Sequence, residues 1–388
     1  MKILYLNDDW PPQALGGAAK VAFDLARKVA EKGHEVGVIT TVRNRKEEGV
    51  FQEEGIKVYR IYSNYKERWR AWLSLYNFQT VAKIKEIIQE FKPEVVHVHN
   101  VHYYLSYACL KVAKKSGAKV FMTMHDVMSF TYGKLKTKRY LEDLDGRVSF
   151  WNNLKLSKKR FNPFRNLIIR HYLRYVDEIW AVSQALRRVL EINRIRVDRV
   201  VYNGVDVQEI KATEVPKDKK ILFGGRLSPA KGGEILKEVV RELREKNENI
   251  SLMIFGKKEK SGEEEGVENL GFLRGEDLEK AFRKARIVVV PSLCFDSLPT
   301  VILEAMANGR PVIATRYGGS REMILEKETG YIVNPFKKEE IKGRIEKLLN
   351  NYEKAKKMGE RARDRVEKSF NLEDIAERVI SYYKYLIK

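Results

Sequence analysis

Two cations stand between glycine pairs in the second half of the chain, Gly224-Gly225-Arg226 and then Lys231-Gly232-Gly233. Arginine offers a planar fork to phosphate and lysine a point charge, so together they suit a diphosphate. The glycines would let the backbone close around such a ligand. Two surface cations in a basic protein are the plainer reading. Further on, PSLCFDSLPTVILEAMANGRPVIAT places Asp296 in a loop and Glu304 eight residues later. That loop runs into a helix beginning near Pro299, and proline is tolerated in a first turn. The amides around Leu298, Thr300 and Val301 would then lie at a helix N-terminus, which favours an anion. Glu304 lies inside the apolar run VILEAMA, so its carboxylate needs partners. Sugar hydroxyls are good ones, and an internal salt bridge is the structural alternative.

The first half holds a second set. Gly16-Gly17 precedes a helical pattern and suits either an anion site or a simple turn. It is not G-x-G-x-x-G, so a dinucleotide fingerprint is not expected. His125-Asp126 follows the strand-like KVFMTM. A histidine there can donate to a sugar hydroxyl or shuttle a proton, though a lone histidine is often structural. His97 and His99 share one face of a neighbouring strand. No third ligand has suitable spacing for zinc, so they read as the polar wall of a cleft. Asp143-Leu144-Asp145 spells D-x-D in an irregular segment and reads as a solvated loop. Cys109 and Cys294 form no C-x-x-C, which argues against a disulfide framework or a structural zinc and fits a reducing cytoplasm.

These residues need elements to position them. KILYLN reads as a strand, DDWPPQALGG as a loop, and AAKVAFDLARKVAEKG as an amphipathic helix capped by Gly33. Val21, Leu25, Ala26 and Val29 fall at helical spacing, and EVGVIT is a second strand. This βαβ pattern predicts a parallel sheet. It continues through IKVYRI, a helix within 72–91, EVVHVHN and KVFMTMHD. An irregular stretch, 127–163, precedes a helix at FRNLIIRHYLRYV. At KKILFGGRLSPAKGG the plan starts again. The length of 388 residues accommodates two such domains. The expectation is an α/β protein of two doubly wound, Rossmann-like domains, 1–205 and 206–370, facing an interdomain cleft. A C-terminal helix, 371–388, would pack back on the first. Ligands of such sheets bind beyond the carboxyl ends of the strands, where most of the motifs fall.

Composition narrows the partners. The chain is 44% apolar, so global disorder is not expected. No apolar run is long enough for a transmembrane helix, and the start reads as a buried strand rather than a signal peptide. The net charge is +21, and residues 1–200 carry 37 Lys/Arg against 21 Asp/Glu. Such a field attracts nucleic acid, anionic lipid or a phosphorylated substrate. Abundant Lys, Arg and Glu with only six Gln also suit a thermophile, which leaves the asymmetry unexplained. Neither zinc-finger spacing nor an RNP motif is present, so nucleic acid is not the expected partner. Tyr65–Trp72 mixes aromatics with cations, and 155–176 holds seven Lys/Arg and no acid. Both suit an anionic membrane surface. The alternative is an ordinary helix with Leu167, Ile168 and Leu173 facing the core.

Taken together, GGRLSPAKG, the carboxylate pair with AMANGRPVIATRYGG and ETGYIV, and AVSQALRRVL with VVYNGVD resemble the retaining nucleotide-sugar glycosyltransferases of glycosyltransferase family 4, which have the GT-B fold. The resemblance spans nearly the whole chain. It implies that Arg226 and Lys231 bind the donor diphosphate and that Glu304 holds the ribose hydroxyls. Gly17, with Gly16, would bring an amide to the distal phosphate, and His125 would contact the donor sugar. The family's Glu-x7-Glu begins here with Asp296, one methylene shorter, which leaves the donor sugar open. Pro299 has no amide to give a phosphate. The implied activity is transfer of a sugar, a hexose as the expected case, with retained configuration. The donor is a nucleoside diphosphate sugar, and no cofactor or obligatory metal is expected. The acceptor would be lipid-linked or phosphorylated, and the setting cytoplasmic, at the cytoplasmic face of a membrane. A sugar-nucleotide epimerase of the same fold is the alternative, and a basic nucleic-acid-binding protein a weaker one.

Overall fold

Apolar runs of four to eight residues become the buried strands, and amphipathic segments between them become the covering helices. The computed structural model describes residues 1–12, 16–225, 228–256 and 264–387. They divide into two units, one made of Met1–Gly204 with Leu372–Lys388 and one of Val205–Asn371.

The first unit holds β1 (Lys2–Leu6), β2 (Glu35–Val42), β3 (Gly49–Glu53), β4 (Ile56–Tyr62), β5 (Val95–Val98), β6 (Lys119–Met124), β7 (Glu178–Ala181) and β8 (Arg199–Val200). They form one sheet in the order β3-β4-β2-β1-β5-β6-β7-β8. Every pairing is parallel except β3 with β4. Helix Gly17–Glu31 buries Ala19, Val21, Ala22, Leu25, Ala26 and Val29, a stripe at helical spacing. The C-terminal helix Leu372–Ile387 adds Ile375, Ala376, Val379, Ile380 and Tyr383 to the core formed by Ile3, Tyr5, Phe121 and Trp180. Polar groups fix it there. Tyr383 Oη lies 2.5 Å from His97 Nδ1 and 3.2 Å from Tyr5 Oη. At its start, Lys32 donates to Glu373 and, at 2.9 Å, to Glu377.

The second unit holds β9 (Lys220–Gly224), β10 (Ser251–Phe255), β11 (Val267–Gly271), β12 (Ile287–Val290), β13 (Val312–Thr315) and β14 (Gly330–Val333). Their order is β11-β10-β9-β12-β13-β14, parallel throughout. In both sheets the chain order reverses beside the first strand, at β1/β5 and at β9/β12. The loops past those strand ends are therefore where such a sheet takes a ligand.

Three local expectations change. The hairpin β3–β4 turns at Glu54 and Gly55, both with positive φ, and its antiparallel pairing puts it at the sheet edge. The stretch 127–163 contains helices Lys138–Asp143 and Phe150–Ser157, each begun by a Thr or Ser cap that accepts a backbone N–H. In helix Arg165–Leu173 the buried apolar residues are Ile169 and Leu173, four apart on one face, while Leu167 is 61% exposed.

Candidate functional site

The second unit builds its site from backbone contacts between loops. At the end of β9, a Cβ on Gly224 would fall 2.4 Å from the Phe255 ring and 2.5 Å from Val301 Cγ2. Only glycine lets helix Thr300–Ala307 come this close to the strand end. Gly232 has φ +76°, and a Cβ there would meet the Pro291 carbonyl oxygen at 2.1 Å. The loop after β9 thus lies directly on the loop after β12, and Leu293 N donates to Ala230 O at 2.9 Å. This contact brings two sequence-predicted residues together: Lys231 Nζ donates to Asp296 Oδ2. Ser292 Oγ reaches the same oxygen at 3.2 Å. From the other side, Gly319 N donates to Asp296 O at 2.9 Å, and a Cβ on Gly318 would fall 1.9 Å from that oxygen. Asp296 is therefore fixed by its backbone as well as by its charge partner. Arg226, the other predicted cation, lies outside the described residues.

Helix Thr300–Ala307 starts at Pro299 without a side-chain cap and without an acid in its first turn. Its dipole is left uncompensated at the end that carries Thr300 and Val301. Leu298 is buried just before it, and Glu304, one turn in, is 9% exposed.

In the first unit, β1 delivers Asp8 to the switch point. Its carboxylate accepts backbone N–H groups from Tyr103 (2.7 Å), Tyr104 (2.8 Å) and Leu105 (2.8 Å). Burial pushes Asp8 up to about 7, against the pull of those donors. Sequence reasoning passed over Asp8, although an acid directly after the first strand of a parallel sheet was a usable signal. Ser292 and the glycine pair 318–319 were also missed, because their roles arise from loops distant in sequence. Gly16 caps helix Gly17–Glu31 in extended conformation, and a Cβ there would meet nothing within 4 Å. Among the described residues, packing does not demand that glycine.

His125 directly follows β6. Its Nε2 lies 2.7 Å from His99 Nδ1, and the two rings stack at 19°. Burial lowers His125 to about 4 and His99 well below the usual range, so both are neutral at pH 7. Beside them, Asp126 Oδ2 is 3.6 Å from His102 Nε2. His97, expected on a cleft wall, is instead fully buried between Tyr383 and Thr123, because the C-terminal helix covers that part of the sheet. Asp145 of the D-x-D pairs with Arg139 at 2.5 Å and Arg147 at 3.9 Å. Among the described residues, no three His, Cys, Asp or Glu side chains are grouped to hold a metal ion.

The first unit also exposes Trp69, Trp72, Phe150, Trp151, Phe164 and Leu167, with Trp151 74% accessible. Their segments are tied together by the Arg160–Glu67 ion pair, by Asn162 Nδ2 donating to Ala71 O at 3.1 Å, and by the Phe150–Phe161 ring contact. No helix among the described residues is long and apolar enough to cross a membrane.

Residues 15–209 match the family described as Glycosyltransferase Family 4, and residues 206–365 match Glycosyl transferases group 1. An uncharacterized glycosyltransferase of Methanocaldococcus jannaschii is 25% identical, over 99% of this chain and 98% of that protein. Among solved structures, sucrose-phosphate synthase from Thermosynechococcus elongatus has a TM-score of 0.78 at 19% identity, covering 99% of this chain and 98% of the other. Anabaena HepE in complex with UDP-glucose has a TM-score of 0.72 at 18% identity, over 99% of this chain and all of HepE.

Proposed function

The chain belongs to glycosyltransferase family 4 and has the GT-B fold, and from that premise we propose that it moves a hexose from a nucleoside diphosphate sugar to an acceptor with retained configuration. The observation that carries the donor half is the Lys231–Asp296 pair beside the uncapped start of helix Thr300–Ala307. A diphosphate entering there exchanges Asp296 for phosphate oxygens as the partner of Lys231. The amides of Thr300 and Val301 complete its described surroundings, and Arg226, outside the described residues, is the second cation expected from the sequence. These fixed positive groups stabilise the charge that grows on the leaving diphosphate, and this supports transfer without an obligatory metal. Glu304, nearly buried one turn into that helix, suits the ribose hydroxyls. HepE is known with UDP-glucose, which makes a uridine donor the first to try.

The first unit takes the acceptor side in this reading. His125, neutral and bound through Nε2 to His99, offers its other nitrogen to a sugar hydroxyl. Gly16 and Gly17 present backbone to the distal phosphate. The acceptor is phosphorylated or lipid-linked. The exposed aromatics near Lys155 and Arg160 support peripheral attachment to the cytoplasmic face of an anionic membrane.

The test is nucleotide release across a panel of UDP, GDP and ADP sugars, with and without acceptors, in wild type and Lys231→Ala. Removing one such contact lowers kcat by about 10²–10³. Near-wild-type turnover of Lys231→Ala at saturating donor would remove the donor assignment. Formation of an epimerised donor without acceptor would identify an epimerase instead.

A further inference from the structure

A histidine bonded at one ring nitrogen has the proton on its other nitrogen decided by that partner. His125 is half-buried directly after β6, and among the described residues its ring makes one hydrogen bond, between Nε2 and His99 Nδ1 at 2.7 Å. His99 directly follows β5 and is 1% exposed. The two strands pair in parallel with Val98 opposite Met122, so the register continues with His99 level with Thr123. The pleat puts Thr123 and His125 on one face. The two imidazoles therefore leave neighbouring strand ends on the same side of the sheet.

His99 is itself wedged in place. Its ring lies 4.4 Å from that of His97, centroid to centroid, and stacks on Tyr5 at 5.8 Å and 27°. His97 beneath it is held at both nitrogens, by Tyr383 Oη and Thr123 Oγ1. The far nitrogen of His99, Nε2, is buried and has no protein partner among the described residues. Asp126, the adjacent acid, accepts from Met128 N at 2.8 Å and faces His102, and it bonds neither ring.

Both imidazoles are neutral at pH 7, so the contact between them holds one proton and one lone pair. If the proton is on His125, His99 must carry its own on Nε2, where a buried N–H meets no protein acceptor. If the proton is on His99, Nε2 is left as a bare lone pair. Orphaned buried N–H groups are rarer in folded proteins than under-satisfied acceptors, so the second arrangement is favoured. We propose that His99 is a positioning residue for the transfer: its Nδ1–H donates to Nε2 of His125, which fixes the plane of that ring and leaves its proton on Nδ1, as a donor to a hydroxyl oxygen of the donor sugar. This rests on the reading of His125 as a sugar contact. Outer partners orient metal-bound histidines in the same way. A ring with Nδ1 already protonated and Nε2 occupied takes up no further proton from the sugar. His125 therefore orients the substrate and is not its base.

The test is imidazole nitrogen NMR on the full chain with isotope-labelled histidine at pH 7, the signals of His99 and His125 being assigned from single variants. Wild type should show both rings protonated on Nδ1 and bare on Nε2. His99→Phe keeps a ring and removes the donor. It should let His125 take the proton on Nε2, and it should lower kcat by about tenfold or more with nucleoside diphosphate affinity unchanged. His99→Asn places an amide N–H near the position of Nδ1, so it should restore the Nδ1 proton of His125 and most of the turnover. If His99→Phe does not fold, the wild-type spectrum and His99→Asn carry the test. A proton on Nε2 of His125 in wild type overturns the proposal, as does an unchanged spectrum in folded His99→Phe or an equal loss of turnover in the two variants. His125→Ala tests the underlying reading separately: undiminished turnover there would remove the sugar contact even where the spectra put the proton on Nδ1.

Discussion

Asp296 and Lys231 restrain each other, so their variants should separate binding from chemistry. Asp296→Asn removes the carboxylate that competes with phosphate for Lys231. Affinity for the free nucleoside diphosphate should then rise a few-fold, while turnover falls by about tenfold or more on the reading that Asp296 also serves the donor sugar. Calorimetry with the nucleotide and steady-state kinetics with the donor sugar measure the two effects. Equal losses of affinity and turnover would place Asp296 outside the reaction. Lys231, Asp296 and Glu304 were legible in the sequence because their chemistry is written within short motifs. Asp8 was not, because its role depends on what the fold brings over it: its partners are amides about a hundred residues away.

Among the elements, most parallel strands and several covering helices followed from hydrophobic period, while β11 and the helices Lys338–Leu349 and Tyr352–Ser369 carried no expectation. The hairpin β3–β4 and the helices of 127–163 did not follow from it, since short segments carry too few residues for a period to emerge. The C-terminal helix was readable as amphipathic, but its polar lock was not. Tyr383→Phe leaves His97 Nδ1 and Tyr5 Oη without their shared partner, and it should cost about 1–3 kcal/mol in urea unfolding. An unchanged midpoint would show that the lock contributes nothing. The histidines around it also set an acid limit. His97 is lowered to about 3, His102 and His125 to about 4, and His99 well below its usual value, in each case chiefly by burial. Between pH 4 and 6.5 the unfolded chain binds more protons at these four sites, so stability rises with pH across that window. Asp8, raised to about 7, opposes them over much of the same range with one proton. The histidines outnumber it. Stability should fall on acidification by about 1.4 kcal/mol per pH unit for each proton in excess. A melting temperature that stays level from pH 7 to pH 5 would contradict this balance.

For the whole molecule, the charge asymmetry and the exposed aromatics of the first unit make a joint prediction about surfaces. The chain should sediment with anionic vesicles at low salt and not with neutral ones. About 1 kcal/mol per basic residue near the bilayer supplies the attraction, and salt should weaken it. Trp72→Ser with Trp151→Ser should reduce binding that persists at higher salt, since aromatic insertion is not screened. No binding to anionic vesicles at low salt would leave a soluble acceptor as the substrate.

Chain order within the two units has a consequence for synthesis. The first unit is left at Gly204 and resumed at Leu372, while the second is continuous from Val205 to Asn371. Val205 N donates to Phe370 O at 2.9 Å, so the second unit begins and ends at one place. It is a guest sequence spliced into a host. During translation the guest has all its residues before the host does, and the host core stays open over Tyr5, Phe121 and Trp180 until Tyr383 has emerged. A nonsense mutation near residue 372 would therefore leave the later-starting second unit whole and damage the first unit, whose synthesis began earlier.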